Sequence, residues 1–167
     1  MQIFDPKFKD NKLHYFIQCG IATVSVFIIL LILDAIQNTA IIAALGASSF
    51  IAFAMLNAKV SKTRYLLGGY AVGTSVGVLC QLLMNVSFVQ KLPLIEHYPT
   101  IFFGALAVGI AILIMAITNT EHPPAAGLAL GIVLNEITLK IILVIVIGIS
   151  GIVILKKILK PLLRDLI

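Results

Sequence analysis

Five apolar runs, 13–33, 40–56, 66–84, 100–117 and 139–155, each of 17 residues or more, dominate this 167-residue sequence and set what it can fold into. A helix rises about 1.5 Å per residue, so each run reaches roughly the 30 Å of a bilayer's hydrocarbon core. The reading is an all-α, polytopic membrane bundle. Hydrophobic residues make up 60% of the chain and charged ones 11%, whereas soluble domains run at about 25% charged. That balance excludes a soluble enzyme, a disulfide-stapled secreted domain and a disordered chain. It leaves one membrane domain over 1–167, with 1–12 expected as a cytosolic amino-terminal segment and 156–167 as a basic cytosolic tail. Cys19 and Cys80 each fall inside an apolar run, where a thiol acts as a small hydrophobe and no disulfide is expected.

The few charges set the topology. Of the 12 Lys and Arg, three precede the first run (Lys7, Lys9, Lys12), three lie between the second and third (Lys59, Lys62, Arg64) and four follow the last (Lys156, Lys157, Lys160, Arg164). Basic residues stay on the cytoplasmic side of a membrane. Five crossings would translocate one of two basic ends, whereas six would put ten of the twelve basic residues on one face, with both termini cytoplasmic. Topology explains this charge better than nucleic acid, since the clusters are short and each flanks an apolar run. The expected location is a bacterial inner membrane.

A sixth crossing has to come from 118–136. Its helical part, Pro123 to Asn135, has 13 residues, about 20 Å as a helix and too short to span alone. An extended stretch over 118–121 would supply the rest at about 3.3 Å per residue; a re-entrant or interfacial piece is the alternative. Non-helical backbone at membrane depth persists only inside protein or along a watery cavity, so the break is a candidate site. His122-Pro123-Pro124 suits it, because proline starts a helix without losing a hydrogen bond and stops it from extending backward.

An internal repeat fits the same scheme. Residues 35–39, AIQNT, match 116–120, AITNT, at four of five positions, and each copy leads through small residues and an apolar run to an Asn, Asn57 or Asn135. Each copy would then begin the middle span of a three-span unit, and the two units would be inverted, as in many transporters with midplane sites. Gly69, Gly73 and Gly77 recur every four residues, as do Gly127 with Gly131 and Ala105 with Gly109. Such stripes let helices approach closely, either within the chain or between subunits. A homo-oligomer is expected.

The His residues, His14, His97 and His122, lie in separate segments without ligand spacing, and no phosphate loop or nucleophile motif is present. No enzyme activity, cofactor or metal is expected. A half-helix starting at Pro123 would aim backbone N–H groups and its positive end at a small anion. Ser48 and Ser49 from the matching segment, with Asn119, Thr120 and His122, would complete the pocket. Apart from Lys140 at the edge of the last run, no cation lies within a run to trap the anion, so binding would be weak enough for passage. A non-transporting membrane scaffold, holding a partner span on its glycine faces, is the alternative from another class.

The run His122-Pro123-Pro124-Ala125-Ala126-Gly127 resembles the signature of the HPP family of integral membrane proteins. Leu45-Gly46-Ala47-Ser48-Ser49 and Gly68-Gly69 also resemble its pattern, and the likeness covers about 13–155. Family members are usually described as four-span proteins, and some plant and cyanobacterial relatives are implicated in nitrite transport. The resemblance therefore implies a small-anion transporter, nitrite first. The regulatory soluble domain that many relatives carry is not transferred to these residues.

Overall fold

The computed structural model describes residues 12–33, 39–90 and 93–166. Lys7, Lys9, Lys91 and residues 35–38 of the first repeat copy lie outside that set. The described chain forms α1 (Lys12–Leu33), α2 (Thr39–Ala54), α3 (Thr63–Met84), the short α4 (Ser87–Gln90) and α5 (Pro93–Glu96), α6 (Pro99–Thr118), α7 (Pro123–Val133) and α8 (Leu139–Leu159). Single 3₁₀ turns cover Lys59–Ser61 and Lys160–Leu162. Four helices, α1, α3, α6 and the last, are long and apolar enough to cross a membrane, and α2 and α7 are shorter apolar helices. Cys19 and Cys80 are free thiols, as expected.

Hydrogen bonds gather one end of every major helix on a single face. Tyr15, near the start of α1, donates to the Leu166 carbonyl at 2.7 Å. The Leu166 amide donates to Ala54 O at the end of α2 (3.0 Å). Arg64, starting α3, reaches Thr118 O at the end of α6 (3.0 Å). Lys59 pairs with Glu121, just before α7, at 3.5 Å. Lys156, near the end of α8, donates to Ser61 Oγ at 2.5 Å. Consecutive long elements therefore alternate in direction, and the first and last described residues share one end of the bundle. Among the described basic residues, Lys140 alone starts from the other end.

The segment 120–135, which contains α7, lies beside α3 from Gly68 to Gln81. Carbons added at Gly68, Gly69, Gly73 and Gly77 would strike Thr120, His122, Ala125 and Ala129 in turn, and the Gln81 amide, near the far end of α3, donates to Asn135 O. The glycine stripe of α3 is thus buried within the chain; it is not an intersubunit face, and the scaffold reading loses that support. Gly131 likewise meets Ala40 of α2, while Gly109 and Gly127 face open space. The extension feeding α7 is shorter than 118–121, because Thr118 completes α6 and Asn119 ends it in the left-handed conformation (φ 53°). Thr120 N–H then returns to Met115 O at 2.9 Å. Asparagine tolerates this conformation better than most non-glycine residues.

The principal helix contacts are α1–α2, α1–α8, α2–α7, α2–α8, α3–α6, α3–α7, α3–α8 and α6–α7. Exchanging α1 with α6, α2 with α7 and α3 with α8 maps this set onto itself. Together with the alternating directions, that is the contact pattern of an inverted three-plus-three repeat. The pairs mapped onto themselves, α2–α7 and α3–α8, lie across the pseudo-two-fold axis. The lengths are unequal: α2 has 16 residues and α7 has 11.

Candidate functional site

The centre of interest lies where α7 begins. His122 is its N-cap, in extended conformation (φ −140°, ψ 97°), followed by Pro123 and Pro124 in the first turn. Its side chain is 1% exposed. The backbone can sit this close to α3 because residue 69 lacks a side chain: a β-carbon there would overlap His122 Cβ. A helix interior disfavours glycine by about 1 kcal/mol relative to alanine, and here the exchange places an imidazole between helices.

Two further elements supply its partners. Ser48, fully buried on α2, lies with Oγ 2.8 Å from His122 Nε2. The same Oγ is 2.9 Å from the hydroxyl of Tyr70, buried on α3, and the Tyr70 and His122 rings lie 5.7 Å apart between centroids at a tilt of 44°. His122 Nδ1 is buried without a hydrogen-bond partner, and the Val60 main chain lies near the imidazole. Ser48 stands six residues before the end of α2 and Gly69 six after the start of α3. The cluster is thus about 9 Å inside the basic end of the bundle.

Other expected site residues lie elsewhere. Ser49 donates back to Leu45 O at 2.9 Å. Asn119 accepts from Tyr65 OH at 3.0 Å, and Thr120 Oγ1 lies 2.8 Å from Thr118 Oγ1. All three have their polar atoms engaged away from the imidazole. Pro123 is exposed and shapes the helix start. The expected free backbone N–H groups are also missing there: Pro123 and Pro124 have none, and Ala125 N–H bonds to His122 O at 2.9 Å. What remains at the break is the positive end of the helix dipole, an imidazole and two hydroxyls.

Glu121, next to His122 in sequence, faces Lys59 at 43% exposure. Cations do approach the site from the basic end. Lys156, which the sequence puts after the last run, lies within α8 and donates to both oxygen atoms of Ser61, the residue after Val60. Tyr70 was the residue missed by sequence reasoning; its seven-residue distance from Thr63 gave no motif, and its role follows from three helices meeting.

Tyr70 also lines a cavity of about 250 Å³ between α3 and α8, with Thr74, Ser75 and Ser150 as its other hydroxyl residues. Thr74 Oγ1 is buried without a hydrogen-bond partner. These residues fall near the middle of two helices of 22 and 21 residues, so the cavity lies near mid-bundle at the pseudo-two-fold axis. A larger space of about 360 Å³, between α1, α2 and Leu166, is walled mainly by apolar side chains and does not reach His122. Among the described residues, no His, Cys, Asp and Glu cluster has the arrangement of a metal site.

These features define a class: a helical membrane protein with an inverted repeat and a polar cluster at a half-helix break. The chain belongs to the HPP transmembrane region family, whose pattern it matches over residues 9–158. No curated protein and no solved structure matches it.

Proposed function

We propose that this protein passes a small monovalent anion, nitrite first among candidates, across a bacterial inner membrane, working as a homo-oligomer with cytoplasmic termini. The observation carrying this reading is the buried His122–Ser48–Tyr70 cluster at the start of α7, inside the bundle and at the positive end of a helix. An ionisable side chain at membrane depth is costly, and such residues mark substrate, ion or proton pathways. The sign of the substrate is read from the basic end of the bundle, where Lys59, Arg64 and Lys156 lie on the elements that adjoin the cluster. Such an array raises the local concentration of anions.

Hydroxyls and an imidazole bind an anion more weakly than a buried Lys or Arg, which suits release on the far side. Nitrite is chosen because family relatives in plants and cyanobacteria are implicated in its transport. The test is nitrite uptake into liposomes containing the purified protein. Uptake above that of protein-free liposomes is expected, and equality between the two would remove the proposal.

A further inference from the structure

Tyr70, Ser48 and His122 form a continuous file of exchangeable protons with two different ends. The Tyr70 hydroxyl belongs to a residue lining the α3–α8 cavity near mid-bundle. The two hydrogen bonds of 2.9 and 2.8 Å lead to His122 Nε2. The opposite ring nitrogen, Nδ1, is buried without a hydrogen-bond partner; the Val60 main chain approaches the imidazole, and the next residue, Ser61, holds Lys156 at the basic end. A serine hydroxyl can donate to one neighbour while accepting from the other, and imidazole exchanges protons at either nitrogen.

We infer that Tyr70, Ser48 and His122 relay a proton between the α3–α8 cavity and the basic face of the bundle, coupling anion passage to proton movement. This rests on the reading of the His122 cluster as the point of anion passage. The transfer balances. Tyr70 oxygen takes a proton from water in the cavity as its own proton passes to Ser48 Oγ, the Ser48 proton passes to His122 Nε2, and the imidazole releases its Nδ1 proton toward the basic face. One proton enters and one leaves, no charge stays on either hydroxyl, and the two O–H rotors and the ring turn back about single bonds.

The surroundings favour this route over a static hydrogen-bond network. From α3 the His122 side chain is met by Tyr70 and Gly69, from α2 by Ser48, and from the 3₁₀ turn by Val60 main chain. The nearby charged groups are engaged with others, Glu121 with Lys59 and Lys156 with Ser61. Thr74, with its unpartnered hydroxyl on the cavity side, offers a further polar group where water would enter.

The experiment uses liposomes holding the full-length protein and a trapped pH-sensitive dye, with nitrite present on both sides and an imposed pH gradient. Internal pH and internal nitrite are followed together for the parent, Ser48→Ala and Tyr70→Phe, each first checked as monodisperse in detergent. Tyr70→Phe removes one oxygen atom and keeps the ring, so it retains the packing. The parent is expected to move protons faster than protein-free liposomes, and both variants to lose tenfold or more of that flux. Proton flux at the protein-free level in the parent, or undiminished in both variants, would overturn the relay. Nitrite movement without protein-dependent proton movement would overturn the relay while leaving anion passage standing; proton movement without nitrite movement would support the relay and remove the anion.

Discussion

Gly69 and His122 occupy adjoining positions so closely that a β-carbon on the first would overlap the β-carbon of the second. Any side chain at 69 therefore has to push α7 away from α3, and with it the imidazole from Ser48. Gly69→Leu is expected to lower stability by about 1–3 kcal/mol or more, the range for overpacked interiors. Gly127, which has no neighbour within 4 Å, gives the contrast: Gly127→Ala should leave stability equal or raise it by up to about 1 kcal/mol. Thermal unfolding midpoints in detergent, measured side by side, check both.

The placement of helix ends predicts which sites share a face. In a background with Cys19 and Cys80 replaced by alanine, single cysteines at Lys59 and Lys160 should react with a membrane-impermeant thiol reagent from the same side of the membrane. A cysteine at Lys140, where α8 starts, should react from the other. Labelling of Lys59 and Lys160 from opposite sides would contradict the common face on which these helix ends lie.

Gln18 holds the carboxyl-terminal tail against α1 and α2. Its Nε2 donates to Phe53 O (2.5 Å) and to Arg164 O (2.6 Å), and its Oε1 accepts from Arg164 N (2.9 Å). Gln18→Leu leaves those backbone groups without partners, a loss of about 1–3 kcal/mol for each buried one. Hydrogen exchange at the Arg164 and Leu166 amides should accelerate by tenfold or more in the variant. Unchanged protection would show that the tail is held by Leu163 and Leu166 packing instead.

Asn119 ends α6 in the left-handed conformation (φ 53°) and takes no part in the His122 cluster. Asn119→Gly should keep stability within about 1 kcal/mol, since glycine adopts this conformation without strain. Asn119→Val should lower it by about 1–2 kcal/mol, the penalty for a side chain unsuited to that region. The same unfolding assay decides between a cap and a site residue: similar losses for both variants would mean that the side chain itself matters.

Much of this arrangement was legible because membrane helices advertise themselves. The expected runs 13–33, 66–84 and 100–117 fall within a few residues of α1, α3 and α6, and the described basic residues other than Lys140 gather at one end of the bundle. Pro123 marked the start of α7 for a backbone reason that needs no tertiary context. The site was legible in half. His122 and Ser48 do meet, but Ser49, Asn119 and Thr120 sit beside them in sequence and turn elsewhere, because a helix rotates each successive residue by about 100° and a cap engages its own side chains. Tyr70 and Lys156 were out of reach, since their roles depend on which helices become neighbours. The backbone N–H groups were expected as anion donors although two prolines in the first turn lack them.

The proposed passage for a small anion rests on the His122–Ser48 pair and not on its sequence neighbours. The most direct measurement compares initial nitrite uptake into liposomes for the parent, His122→Ala, Ser48→Ala and Ser49→Ala at equal protein incorporation. Uptake is expected to fall tenfold or more in the first two variants and to be retained in Ser49→Ala, whose hydroxyl bonds back to Leu45 O. Equal uptake in all four proteins, or equal loss in all three variants, would contradict it.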